Sequence, residues 1–220
     1  VNSGGANACT GPQGFQNTHR TAEFVAEQLG CGAGEVGVCS TGLIGEQLPM
    51  DLLLPGIEQS IARLDSRGGP DSARAIMTTD THPKTATHSA AGVTVGGRAK
   101  GAGMLAPGMA TMLSFLTTDA VATPAVLRRV LQAASAVTFN RVDSDGCMST
   151  NDTVLLLASG ASRVELEESE LLQLVRAVSA DLAAQLVEDA EGASKEIAVE
   201  VRHAATEADA EVAARAVTRS

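Results

Sequence analysis

Residues 101–120 read GAGMLAPGMATMLSFLTTDA and gather three glycines, one proline, three methionines and four hydroxyl side chains around one Ala–Thr junction. The second half, MLSFLTTD, is apolar and β-branched after Thr111 and predicts a strand. The first half is too rich in glycine and proline for either regular element. The stretch is therefore a connector between two elements, or a turn in which the backbone reacts with itself. Downstream, TPAVLRRVLQAASAVTFN predicts a helix entered through Pro124, and DTVLLLASG a buried strand. Upstream, GVTVGG and RAIMTTD predict strands.

Further out, ESELLQLVRAVSADLAAQLVEDA is the clearest helix, with Leu171, Leu174, Val175, Val178, Leu182 and Leu186 at helical spacing. KEIAVEVRH alternates like a strand through Ile197, Val199 and Val201, and TEADAEVAARAV predicts a final amphipathic helix. Near the start, VNSGGANACTGPQG predicts a loop. NTHRTAEFVAEQLG predicts a helix capped by Asn17 or Thr18 and stopped by Gly30. EVGVCS is strand-like, and a second helix is expected over roughly 56–66. Mixed strands and helices without a regular βαβ period or internal repeat give a layered α/β (α+β) fold.

Hydrophobic residues make up 44% of the 220-residue chain and charged residues 19%, which is a globular balance. With four Phe and neither Trp nor Tyr, the core must be built from Ala, Val and Leu. The formal charge of −10 disfavours nucleic-acid and anionic-membrane partners, and the plain reading of that charge is solubility. The apolar runs fall short of the ~18 residues of a membrane span. Cys9, Cys31, Cys39 and Cys147 form no C-x-x-C pair, so buried thiols in a reducing, cytoplasmic setting are expected. The chain opens at Val1 and closes at TRS, and it reads as a piece of a longer or processed product.

Several formal motifs fail on context. Gly32, Gly34 and Gly37 match G-x-G-x-x-G, but they follow a helix, so no helical N–H groups would meet a pyrophosphate. DSDG (143–146) carries its glycine at the fourth position, where a calcium loop needs it at the sixth. His19, His82, His88 and His203 form no pair at helical metal-ligand spacing, and no G-x-S-x-G anchors a serine triad. No metal site is expected. The hydroxyl clusters CSTG, MTTDT, MATML and STNDT are the stronger signal, although each alone suits a strand end or turn.

KGAGMLAPGMATMLSFLTTDA, taken with NSGGANACTG, CSTGLIGEQLPM, AIMTTDTHPK and FNRVDSDGCMSTNDTVLLLASG, resembles the ornithine acetyltransferase (glutamate N-acetyltransferase) family of arginine biosynthesis. The likeness runs in order through nearly the whole chain. It implies an N-terminal-nucleophile-like acyltransferase fold and a precursor that cuts itself between Ala110 and Thr111. Residues 1–110 would then be the C-terminal part of an alpha chain, and 111–220 the N-terminal part of a beta chain that begins at its nucleophile. Gly101, Gly103, Pro107 and Gly108 suit a constrained turn holding the Thr111 hydroxyl near its own preceding carbonyl. The freed α-amine, with an ordinary pKa near ~7.7–8.0, would serve as general base.

By the same resemblance, Thr41 and Gly42 are the oxyanion donors, and Lys100, Thr78 and Glu191 are substrate contacts beside Thr111. Thr79 is adjacent to Thr78 and easily exchanged with it. The plain reading of Lys100 is a solvated surface lysine. Ala190 stands where the family usually has glycine, and the loops before GVCSTG and between MTTDT and VGGRAK are shorter than usual for it. The family's later D-P-N-W-G-R segment and closing Asn and Ser/Thr are not in this stretch. The implied reaction moves acetyl from N²-acetyl-ornithine to glutamate through an acetyl-Thr ester, without metal, nucleotide or redox cofactor. In some members acetyl-CoA is a further donor. Alpha and beta chains would stay together, as a heterotetramer. The alternatives are a related N-terminal-nucleophile amidohydrolase or aminopeptidase, and an inert metabolite-binding fragment.

Overall fold

A computed structural model of the chain describes residues 1–105 and 112–219. Its centre is a four-stranded sheet of β3 (Lys84–Ala90), β4 (Val93–Lys100), β5 (Leu113–Thr118) and β6 (Thr153–Ala158), in that order. β3 and β5 flank β4 antiparallel, whereas β5 and β6 run parallel with Leu113 opposite Thr153. The parallel pair is joined through helix α4 (Pro124–Ala136). Thr123 caps that helix by accepting the Val126 N–H, and Pro124 supplies the first turn, as its sequence demands.

β5 divides the interior by its alternation. Met112 and Leu116 point to one face, Leu113 and Phe115 to the other. On the first face, α5 (Glu168–Glu188) lays Leu171, Leu174, Val175, Val178, Leu182 and Leu186 against Val93, Val95 and Leu116. Gly97 makes this approach possible, because a Cβ there would stand 2.5 Å from Leu116 Cδ2 and 3.0 Å from Leu182 Cδ1. On the second face, Leu113 and Phe115 meet Cys39 and Ile76. That contact joins the sheet to a parallel two-stranded pair, β1 (Asn2–Gly5) with β2 (Ser40–Leu43). Helices α1 (Gly11–Leu29), α2 (Met50–Ala62), α3 (Gly69–Ala75) and α6 (Glu207–Thr218) complete the chain.

The expected α/β layering is present, and several local expectations are corrected. VNSGGANACTG is not a loop. Its glycines allow β1 to approach β2, and α1 starts at Gly11 behind Thr10, not at Asn17 or Thr18. In EVGVCS only Cys39 and Ser40 reach β2 or its packing, while Ala33–Glu35 is one turn of 3₁₀-helix. α2 starts six residues earlier than predicted, at Met50. RAIMTTD is the end of α3 and a turn, because Asp80 accepts the Thr78 N–H and bends the chain back. KTATHSA, not predicted, is β3. β6 is half-buried, with Leu157 exposed. Residues 196–202 pair with no strand among the described residues, and Ile197 is exposed. Only Cys39 of the four free cysteines is buried, since Cys9, Cys31 and Cys147 lie on turns away from either core. No helix among the described residues is long and apolar enough to cross a membrane.

Candidate active site

Lys100 ends β4 opposite Leu113, on the sheet face that looks toward β2. It is 1% exposed, so the plain alternative of a solvated surface lysine is excluded. The strand alternation that buries Leu113 and Phe115 carries Lys100 inward as well. Its Nζ donates to Thr41 Oγ1 at 3.1 Å and to Thr78 Oγ1 at 2.7 Å. A hydroxyl that accepts from an ammonium keeps its own O–H free to donate, which is the polarity an oxyanion needs from Thr41.

Gly42 follows with φ of 129°. A Cβ there would lie 2.4 Å from the Gly4 carbonyl carbon and 2.7 Å from the Gly5 nitrogen, so only glycine fits against β1. Thr41, Gly42, Thr78, Thr79, Lys100, Gly103 and Glu191 all border one cleft of ≈ 640 Å³. Thr78 rather than Thr79 is the partner of Lys100. Glu191 is exposed at the rim, and its N–H donates to Ala102 O at 2.6 Å. The left-handed turn falls on Gly192, with φ of 72°, so Ala190 needs no glycine conformation. Gly103 packs beside the Glu191 side chain, whose carboxylate a Cβ there would displace. Gly101 has φ of 148°. Pro107, Gly108, Ala110 and Thr111 lie outside the described residues. The chain leaves the described region at Leu105 and returns at Met112, both buried.

Sequence reasoning missed four ionisable residues that lie around Lys100 behind the cleft lining: Asp80, Lys84, Asp189 and Asp152. Asp80 accepts from Lys84 Nζ and Gly101 N–H, each at 2.7 Å, and from Thr78 N–H at 3.1 Å. Burial pushes its carboxyl up, but these donors outweigh burial and hold it below the usual range. Lys84, fully buried, also donates to Asp189 Oδ2 at 2.5 Å. Burial raises the Asp189 carboxyl as well, yet Lys84 and the Thr81 hydroxyl and N–H hold it at about 2. Asp152 accepts the Met112 N–H at 2.9 Å. Burial drives it up to about 7, against that N–H, the Ser149 hydroxyl and Lys100. Burial also pushes the Lys100 ammonium below its ordinary value, while Asp80 and Asp152 raise it and Lys84 lowers it further. The hydroxyl motifs MTTDT and STNDT contain Asp80 and Asp152 and could have signalled them. Lys84 and Asp189 have no local motif.

No group of three His, Cys, Asp or Glu side chains among the described residues is arranged to hold a metal ion. At DSDG, Asp143 and Asp145 spend carboxylate oxygens on the Gly146 and Cys147 N–H groups, which makes a turn. The chemistry this cleft offers is a buried cation, two hydroxyls and a glycine backbone facing a carboxylate-rimmed opening.

Comparison with known proteins identifies the family. The sequence model of the ArgJ family matches residues 1–220. The arginine biosynthesis bifunctional protein ArgJ of Streptomyces avermitilis is 63% identical over 220 residues, which is all of this chain and 57% of that protein. The proteins of the same name from Thermobifida fusca and Mycobacterium leprae are 54% and 56% identical, again over all of this chain and 57% and 56% of theirs. A crystal structure of the argJ protein from Bacillus halodurans aligns with 49% of this chain and 58% of that chain, at 42% identity and a TM-score of 0.43. The chain thus spans 56–57% of the length of these curated relatives.

Proposed function

The chain belongs to the ArgJ family, and from that membership we propose that it forms part of an acetyltransferase of arginine biosynthesis, moving acetyl from N²-acetyl-ornithine to glutamate. The observation that carries this reading is the convergence of Thr41, Gly42, Thr78, Lys100 and Glu191 on one cleft. Those residues come from β2, the turn after α3, the end of β4 and the segment after α5. A core alone does not require a lysine at that depth to bridge two threonine hydroxyls.

In the proposed cycle the Thr111 hydroxyl first attacks the Ala110 carbonyl, breaking the peptide C–N bond to give an ester and a free amine on Thr111. Water then opens the ester, leaving a carboxylate on Ala110 and restoring the Thr111 hydroxyl. That amine takes the Thr111 hydroxyl proton as the oxygen attacks the acetyl carbonyl. The oxyanion is met by the Thr41 O–H and the Gly42 N–H. The C–N bond breaks and ornithine leaves with the proton. The amine of glutamate then attacks the acetyl-Thr ester, and the Thr111 oxygen is released and reprotonated. Lys100 attracts the carboxylate that both substrates share, and Glu191 at the rim suits the cationic side chain of ornithine. Acetyl-CoA fits as a further donor to the same threonine, which makes the enzyme multifunctional. The two chains remain associated as an alpha/beta heterotetramer with an N-terminal-nucleophile fold, working in the cytoplasm without a cofactor.

Product analysis on protein made from the complete reading frame tests this. Acetyl-ornithine and glutamate should give ornithine and acetyl-glutamate in equal amounts without free acetate. Free acetate formed in the absence of glutamate would favour an amidohydrolase. Thr111→Ala should abolish both the cut and the transfer, and a variant that still transfers would rule out Thr111 as the nucleophile.

A further inference from the structure

Beneath the cleft, four charged side chains alternate in sign through the interior: Asp189, Lys84, Asp80 and Lys100. Lys84 Nζ lies 2.5 Å from Asp189 and 2.7 Å from Asp80, and Lys100 Nζ lies 4.0 Å from Asp80 Oδ2. The side chains of Lys84 and Asp80 are 0% exposed, and that of Lys100 is 1% exposed. Asp80 occupies the middle of this row. Its Oδ1 accepts the N–H of Gly101, the residue after Lys100, and its Oδ2 accepts the N–H of Thr78, the residue whose hydroxyl Lys100 reaches. One carboxylate therefore fixes the backbone at both ends of the Lys100–Thr78 hydrogen bond and faces the ammonium as well.

Taking the acetyltransferase reading as its basis, we propose that Asp80 is the positioning residue of the transfer site. It keeps Lys100 charged and aimed between Thr41 and Thr78, and it is itself held in place by Lys84 and Asp189. An isolated ammonium at this depth would be strongly disfavoured, so a facing negative charge is needed to keep it protonated. The groups that face Lys100 are Asp80 from the turn after α3, Lys84 from β3 and Asp152 from the segment before β6, with Thr41 from β2 and Thr78 completing its surroundings. Glu191 borders the same cleft at its exposed rim. Asp152 titrates at about 7 and is only partly charged near neutrality, so Asp80 supplies the steady opposing charge. Lys84 does not serve Lys100 directly. Its charge offsets Asp80, and its two carboxylate contacts tie the turn to the end of α5.

The test is the pH profile of kcat/KM for Asp80→Asn, Asp80→Glu and Asp189→Asn in protein made from the complete reading frame. In D80N the alkaline limb should move down by about one pH unit or more, and kcat should fall. D189N should lower thermal stability and leave that limb where the unaltered protein has it, because Asp189 touches Lys84 and not Lys100. D80E keeps the charge but misplaces it, so the limb should stay while kcat falls. An unmoved limb in D80N, or an equal shift in D189N, overturns the proposal. If D80N does not fold, D80E decides: an unmoved limb with reduced kcat supports the proposal, and a moved limb or an unchanged kcat overturns it. Titration of the Lys100 Nζ by ¹⁵N NMR, with the signal assigned by its loss in K100R, gives the same comparison without turnover. A protein in which Lys100 titrates lower in D80N but no acetyl is transferred would therefore sink the functional reading and not this one.

Discussion

α5 and α4 cover one face of the β3–β6 sheet with a continuous layer of Leu, Val and Ala, whereas the β1–β2 pair across the other face is held by far less side-chain burial. α2 buries no residue, α1 buries only Gly14, Thr21 and Ala26, and the contact between the two regions rests on Cys39 and Ile76 against Leu113 and Phe115. Thr41 and Gly42, the proposed oxyanion donors, belong to the thinly packed region, and Lys100 belongs to the densely packed one. The cleft lies where the two meet. What registers them is polar contact: Lys100 to Thr41, and the Asp80–Lys84–Asp189 row that joins the turn after α3 to β3 and α5. Hydrophobic burial is non-directional and cannot by itself place two hydroxyls around one ammonium, while hydrogen bonds with defined angles can.

The comparison predicts unequal costs on the two sides of the cleft. The largest should come from Lys84→Met, which leaves Asp80 and Asp189 buried without their cation and should cost about 3–5 kcal/mol in chemical denaturation. Leu182→Ala, at a fully buried position on α5, should cost about 2–5 kcal/mol, whereas Leu52→Ala on exposed α2 should fall within about 0.5 kcal/mol. Equal losses for those two leucines would erase the distinction between the regions. Gly42→Ala should cost about 1–3 kcal/mol from the positive φ alone and should lose activity besides, since its Cβ displaces β1.

In the pH dependence of stability the two aspartates give opposite signs. Asp189 titrates at about 2 against an ordinary 3.8, so its contribution is present above pH ~4 and is lost as pH falls from there through about 2. Asp152 titrates at about 7 against 3.8, so folding favours its protonated form. That contribution is present below pH ~4 and is lost as pH rises through about 7. Denaturation midpoints across pH 2–8 should therefore lose part of their acid decline in D189N, with Asp80 still contributing the rest, and part of their neutral decline in Asp152→Asn. An unchanged curve in either variant removes that carboxylate from the account.

The parts of this fold that local pattern dictates were legible. α4 and α5 carry 3.6-residue periodicity, and Thr123–Pro124 marks a helix start with its own chemistry. β4 and β5 follow from the strand-like runs GVTVGG and MLSFLTTD. β3 was not legible, because KTATHSA has no apolar face of its own and becomes a strand only by pairing with β4. KEIAVEVRH misled in the opposite way: it alternates, yet forms no strand without a partner among the described residues. Within the site, the resemblance picked out Thr41, Gly42, Thr78, Lys100 and Glu191. Of the charged row beneath them only Asp80 lay in a noticed motif, since Lys84 and Asp189 are 105 residues apart and meet only through the packing of α5 on β3. The depth of Lys100 is likewise a product of strand register and not of its neighbours in sequence.

The central claim is that these residues serve Thr111 as it carries acetyl between two amines. The most direct measurement is peptide mass spectrometry of protein quenched during incubation with N²-acetyl-ornithine alone. The account predicts one added acetyl group on the peptide beginning at Thr111, removed when glutamate is supplied. Acetyl transfer proceeding at full rate with that peptide unmodified, or with residues 110 and 111 still joined, would contradict it.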